Sequence, residues 1–170
     1  MSTGPQDLFN HSDRLDPRIL EKSYAEALEL TKSICGYLEG EHHARQQKAL
    51  SDSSPVDISE PVVQYAAESM RMSTCMMQVV SWFMVQKAVD NGEMTPEEAS
   101  APENRLGAQE ICLASDQEAV DVLPGELKAY LQRSQDLYRR VLRLDQMVYD
   151  KPESGNLVHQ LQSRLNQDEA

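Results

Sequence analysis

Glu39 and His42 stand three residues apart near the end of a helical stretch, with His43 beside them. On a helix, Glu-x-x-His puts a carboxylate and an imidazole on one face. Helical di-iron carboxylate sites use that spacing, but they need a second Glu-x-x-His and two further inward glutamates. The sequence has no second copy. Gly40 also places the motif at a helix end, so His42-His43 reads as a solvated pair. A helical metal-binding or redox protein using Glu39, His42 and His43 remains the alternative function. The three cysteines, Cys35, Cys75 and Cys112, are an odd number with no Cys-x-x-Cys pair, which argues against a disulfide framework and fits reduced thiols. Cys35 and Cys75 could meet across two helices; small core or boundary hydrophobes are the better reading. There is no Gly-rich phosphate loop, no His-Glu-x-x-His and no Gly-x-Ser-x-Gly. No pair of carboxylates sits on an apolar face, so acid–base catalysis has no candidate. The expectation is a protein without catalytic residues, metal or cofactor.

Composition narrows the class. At 170 residues the chain suits one domain with a usable core. Aromatics at 5% and seven glycines are poor material for a β-sandwich and ordinary for a helical bundle. The net charge of −12 argues against a nucleic-acid surface, which needs clustered Lys and Arg. The N-terminus lacks the basic and apolar regions of a signal peptide, so a cytoplasmic location is expected.

The chain is organised around residues 59–92. Ser59 can cap a helix, Pro61 suits its first turn, and Asn91-Gly92 gives a left-handed stop. About thirty residues between them make roughly 45 Å of helix. Val62, Ala66, Ser69, Met70, Ser73, Met76, Met77, Val80, Phe83, Met84, Lys87 and Ala88 share one broad side, which should face a core. Arg71, Gln78, Gln86 and Lys87 interrupt the apolar run, so it is not a membrane span. The opposite stripe, Gln64, Glu68, Arg71, Cys75, Gln78, Trp82 and Gln86, is polar apart from Cys75 and Trp82. A polar strip with one central aromatic is a candidate partner-binding or dimer face. The competing reading covers Trp82 with the 92–124 connection.

Asp16-Pro17 starts an earlier helix whose stripe is Ile19, Leu20, Tyr24, Ala27, Leu28, Thr31, Ile34, Cys35 and Leu38, ending near Gly40. Residues 41–58 read as a polar connection. Thr95-Pro96-Glu97-Glu98 is a capping box for a short helix. Ile111, Cys112, Leu113, Val120, Val122 and Leu123 give the connection enough apolar residues to lie on the bundle. The last strong helix spans about 125–149, with Leu127, Leu131, Ser134, Tyr138, Val141, Leu144 and Val148 as its stripe. Residues 1–15 and 151–170 read as flexible, although Leu8 and Phe9 could dock. Leu157, Leu161 and Leu165 could form a helix on a partner. The fold class is therefore all-α: an antiparallel three-helix bundle over 16–150, with helices at about 17–39, 61–91 and 125–149. Val80, Phe83, Met84, Leu28, Leu131 and Val141 should be buried.

Charge is uneven. Asp90 to Glu126 holds ten acids against Arg105, a balance of −9. The last helix carries Lys128, Arg133, Arg139, Arg140 and Arg143 against Asp136 and Asp145, a balance of +3. Either the acidic connection lies over the basic helix, or the two are separate docking patches, with Arg133, Arg139, Arg140 and Arg143 as the basic one.

Glu68-Ser69-Met70-Arg71, Met77-Gln78, Ser81-Trp82, Gln86-Lys87-Ala88-Val89 and Gly92-Glu93-Met94 resemble the α-proteobacterial RcdA family, the regulators of CtrA degradation. Leu131, Ser134, Leu137-Tyr138, Arg140-Val141 and Arg143-Leu144-Asp145 are similar to that family's last helix. The resemblance covers roughly residues 15–150. It implies a dimerising three-helix bundle that is not an enzyme. Such a protein is an adaptor that helps the ClpXP unfoldase-protease receive cell-cycle regulators, acting with a CpdR-like response-regulator adaptor.

Overall fold

The computed structural model describes residues 15–51, 59–114 and 120–150. They form α1 (Pro17–Ser51), α2 (Glu60–Asp90), α3 (Pro96–Ala99), a 3-10 turn (Pro102–Asn104), α4 (Gln109–Cys112) and α5 (Gly125–Tyr149), with no strand element among them. The fold is an all-α bundle of three long helices. The expectations placed on residues 1–14, 52–58 and 151–170 lie outside the described residues.

Local chemistry accounts for the ends. The Asp16 carboxylate accepts from the Arg18 N–H at 2.8 Å and its carbonyl takes the Ile19 and Leu20 N–H groups, so the chain is already turned when α1 begins. Ser59 opens α2 through its carbonyl, which accepts from Val62 and Val63, rather than through a side-chain cap. Gly92, at φ 74°, lets Glu93 N–H turn back onto the Ala88 carbonyl at 2.8 Å. The Thr95 hydroxyl and the Glu98 carboxylate each accept from the other's backbone N–H, which completes the capping box. That reciprocal bond, with the Thr95 N–H first, holds the Glu98 carboxyl below its ordinary range.

α1 does not stop near Gly40 but runs on to Ser51. One glycine costs only about 1 kcal/mol in a helix, and the residues after it are strong helix formers. The extension also gains a tertiary contact, because the Arg45 guanidinium lies 3.8 Å above the Tyr65 ring of α2.

Residue pairs set the directions. Tyr24 meets Phe83 and Arg45 meets Tyr65, so α1 and α2 are antiparallel. Tyr37 meets Tyr130 and Glu26 pairs with Arg140, so α1 and α5 are antiparallel as well. Trp82 bonds Asp145 and Gln86 bonds Tyr149, however, so α2 and α5 run parallel. The antiparallel arrangement thus holds between α1 and each of the other two. Parallel neighbours need a connection that returns along the bundle, and residues 91–124 provide it. Arg105 lies level with Asp145, Gly107 with Gln78, and Ala114 with Gln135.

α2 packs against α1, α3, α4 and α5, and this rotates its buried face away from the one expected. The buried residues are Tyr65, Glu68, Met72, Cys75, Met76, Val79, Trp82, Phe83, Gln86 and Val89. Of the side expected to face the core, Met76 and Phe83 are buried and Val62, Ser69, Ser73, Val80, Lys87 and Ala88 are half-buried. Ala66, Met70, Met77 and Met84 are exposed. Leu131 and Val141 are buried as expected, Leu28 is half-buried, and Met84 is in solvent. A central helix has partners on several sides, so its most apolar face need not be its most buried one.

Candidate functional site

The strip centred on Trp82 is not a solvated face. Glu68, Trp82 and Gln86 are buried, and Gln64, Arg71 and Gln78 are half-buried. The returning connection covers it. Trp82 is 1% exposed, and its Nε1–H donates to Asp145 Oδ1 of α5 at 2.8 Å. The same carboxylate accepts from Arg105 Nε and Nη2 at 2.9 and 2.7 Å and from the Leu106 N–H at 3.3 Å. Arg105 also reaches Asp150 at 2.8 Å and lies 4.8 Å over the Tyr149 ring. Gln78 Oε1 accepts from the Gly107 N–H at 3.1 Å, and the Tyr138 hydroxyl donates to the Gly107 carbonyl. A Cβ at residue 107 would sit 3.1 Å from Gln78 Oε1, so glycine allows this close approach. Gln86 Nε2 donates to the Tyr149 hydroxyl at 2.7 Å. Gln78, Trp82 and Gln86 therefore hold the fold together.

Arg71 and Glu68 form an ion pair one helical turn apart, each side chain only 10% exposed, with Arg71 Nε donating to Glu68 Oε2 at 2.8 Å. Arg71 Nη1 is buried without a hydrogen-bond partner.

Of the basic residues of α5, Lys128 reaches the acidic connection, its Nζ donating to the Asp121 carbonyl at 2.8 Å, while the described contacts of the arginines lie elsewhere. Arg139 pairs with Asp136 at 3.0 Å on its own helix, and Arg140 pairs with Glu26 of α1 at 2.7 Å. Arg133 lies 6.0 Å from the Tyr130 ring, and Arg143 is exposed. Glu93, Glu97, Glu98, Glu103 and Glu110 face solvent. Complementarity runs the other way, since Arg105 of the acidic segment lands on Asp145 and Asp150. Asp145 was missed by sequence reasoning. Its signal was a carboxylate in register with Tyr138, Val141 and Val148 on the apolar stripe.

Glu39, His42 and His43 are all exposed, the two imidazole rings 6.2 Å apart. Among the described residues no group of three His, Cys, Asp or Glu side chains could hold a metal ion. Cys35 is exposed and does not meet Cys75, which packs with Cys112 instead. No described helix is long and apolar enough to cross a membrane.

A second surface emerges on α2. Val63, Met70, Met77 and Met84 are 55%, 73%, 71% and 57% exposed and recur every seven residues. Exposed Ala66, Ala67 and Ser81 flank them. Ser69, Ser73 and Thr74 donate their hydroxyls to carbonyls four residues back, at 2.7, 2.9 and 3.0 Å. These three hydroxyls would keep their partners if the stripe lost water.

Burial pushes the Tyr37 hydroxyl up to about 12, helped by the neighbouring Tyr65 and Glu41, and pushes Tyr138 and Tyr149 up as well. For Tyr37 the unfolded chain loses its proton near 10 while the folded chain keeps it, so stability falls as pH rises from about 10 to about 12. Urea titrations across that range should show decreasing midpoints. A Tyr37→Phe variant should fall less steeply.

Residues 11–168 match the family described as "Protein of unknown function (DUF1465)". No curated protein matches the chain significantly. Among solved structures, RcdA from Caulobacter crescentus is 34% identical, with a TM-score of 0.57, over 78% of this chain and 92% of that one. The agreement in sequence and in fold places the chain in the RcdA-like DUF1465 family.

Proposed function

We propose that this protein is a non-enzymatic adaptor in regulated proteolysis. It acts in the cytoplasm as a homodimer and brings cell-cycle regulators to a ClpXP unfoldase-protease together with a CpdR-like co-adaptor. The observation that carries this reading is the 34% identity to RcdA over most of both chains. The surface chemistry agrees in kind. Catalytic machinery would need polar groups converging on a cleft. Here the buried polar groups around Asp145 are spent on one another, and the distinctive features face outward.

Three outward surfaces serve three kinds of contact. The Val63, Met70, Met77 and Met84 stripe suits a second copy of the chain, because its heptad spacing matches a helix–helix seam. A two-fold axis between Ser73 and Thr74 would set Met70 of one subunit opposite Met77 of the other and Val63 opposite Met84, an isologous contact. The basic side of α5, with Arg133, Arg139, Arg140 and Arg143, suits an acidic segment of a partner. The exposed glutamates of the connection suit a basic one.

Reconstituted degradation tests the reading. Purified ClpXP, co-adaptor and a candidate cargo should degrade the cargo several-fold faster when this protein is added. Charge reversal at Arg133 and Arg143, both exposed, should reduce that gain with the fold intact. Equal rates with and without the protein, across cargoes the co-adaptor delivers, would sink the adaptor reading.

A further inference from the structure

We propose that Met70, Met77 and Met84 are a modification site: peroxide converts them to methionine sulfoxides, and this separates two copies of the chain. The inference rests on the reading of the α2 stripe as the seam of a homodimer. The stripe fits that occupant by charge. The chain carries a net charge of −12, so two copies repel, least so where the touching faces are uncharged. Between Val63 and Met84 the charged residues are Glu68 and Arg71, which pair with each other and are each only 10% exposed in their side chains. The exposed positions of that span are apolar or small, with Ser81 the one hydroxyl among them. A charged partner finds nothing there to pair with, whereas a second copy finds the same apolar surface.

The fold sorts the methionines of α2 by reach. Met70, Met77 and Met84 are 73%, 71% and 57% exposed, while Met72 and Met76 of the same helix are 0% and 2% exposed. These exposures belong to the single chain, which is the state that reacts. The first three sulfurs are open to an oxidant in water and the other two are not. The sulfur lone pair attacks one oxygen of hydrogen peroxide, and the O–O bond breaks. The sulfur keeps that oxygen and is oxidised by two electrons. The departing hydroxide takes the proton of the new S–OH group and leaves as water. One thioether and one hydrogen peroxide become one sulfoxide and one water.

The added oxygen is a hydrogen-bond acceptor, and the seam has little to offer it. Ser69, Ser73 and Thr74 already donate to carbonyls of their own helix. In the separated chain water satisfies each sulfoxide. Association strips that water without supplying a donor, which a buried acceptor tolerates poorly. With Met70 of one copy opposite Met77 of the other, four such oxygens meet at the middle of the contact and weaken association at least about a hundredfold. Association hides the sulfurs from peroxide, and oxidation opposes association. Peroxide thus acts on the free chain and keeps it free. A methionine sulfoxide reductase, with thiols as the reductant, restores the thioether and the seam.

The test uses the full chain carrying Cys35→Ser, which removes the exposed thiol. Before oxidation, light scattering at roughly tens of micromolar should report twice the chain mass. A monomer at this step overturns the dimer reading and this proposal with it. Hydrogen peroxide should then add one oxygen at each of Met70, Met77 and Met84, spare Met72 and Met76, and bring the scattering to one chain mass. The helical circular dichroism should persist, and methionine sulfoxide reductases with dithiothreitol should return the dimer. A variant carrying Met70→Leu, Met77→Leu and Met84→Leu should stay dimeric under the same peroxide. In a sample diluted until sedimentation reports one chain mass, Met70 and Met77 should oxidise several-fold faster than in the concentrated dimer. Met147, exposed on α5, should react at one rate in both. A dimer that persists with all three sites oxidised, dissociation accompanied by loss of helix, dissociation of the leucine variant, or equal rates at Met70 and Met77 would overturn the proposal with the dimer itself demonstrated.

Discussion

Asp145→Ala should lower the unfolding free energy by about 3 kcal/mol, among the largest losses from any single change outside the apolar core. The Asp145 side chain is 3% exposed and accepts from Trp82, Arg105 and the Leu106 backbone. Removing it orphans a buried indole N–H and a buried amide N–H. Arg105 keeps Asp150 as a partner, which is why the loss stays short of that for an abandoned buried charge. Asp145→Asn retains an acceptor for Trp82 and should cost about half as much. Trp82 is the single tryptophan, so its fluorescence during urea unfolding reports this network directly. Pairing each variant with Arg105→Ala in a double-mutant cycle should give a coupling of about 1–2 kcal/mol. A coupling near zero would mean that Arg105 does not fasten the connection.

Met70→Glu combined with Met77→Glu should convert a dimer to a monomer. Across the proposed two-fold axis the change sets four carboxylates together at the middle of the contact. Juxtaposed like charges cost several kcal/mol, and about 4 kcal/mol weakens association roughly a thousandfold. Both positions are more than 70% exposed in the single chain, so stability of the fold should move by only about half a kcal/mol. Light scattering at roughly tens of micromolar should report twice the chain mass for the parent and one chain mass for the variant. A variant that remains dimeric would place the interface elsewhere, and a monomeric parent would remove the dimer from the proposed function. The comparison is clean because the substituted methionines support nothing inside their own subunit.

Those methionines also mark where the sequence misleads. Along α5 the apolar residues occupy a single stripe, and Leu127, Leu131, Ser134, Tyr138, Val141 and Leu144 are all buried as their period predicts. α5 packs in one direction, so its pattern identifies its inner face. α2 packs in several, and Met70, Met77 and Met84 share with Met76 and Phe83 a side that looks continuous on a helical projection. Apolarity indicates that a surface benefits from leaving water, but not whether its own chain or another molecule covers it.

The ends of the helices follow from neighbours in sequence. Asp16-Pro17, Asn91-Gly92 and the Thr95-to-Glu98 box act through bonds spanning a few residues, and each ends or starts a helix where its chemistry requires. The same locality made Gly40 look like a stop. The contact that helps carry α1 past it comes from Tyr65, which sequence distance hides. The candidate strip looked solvated for the same reason, although the reading that covers Trp82 with the connection was open to the sequence. Gln78, Trp82 and Gln86 look like surface residues because their polar groups need partners, and those partners are Gly107, Asp145 and Tyr149. Sequence alone determined the helical class, the three long elements, most of their ends and the inner face of α5, because propensity, capping and period are local. Tertiary structure decided the parallel pairing of α2 with α5, the turn of α2 about its axis and the burial of its polar strip. Those depend on where a returning connection delivers hydrogen-bond partners across tens of residues, and no local pattern records that delivery.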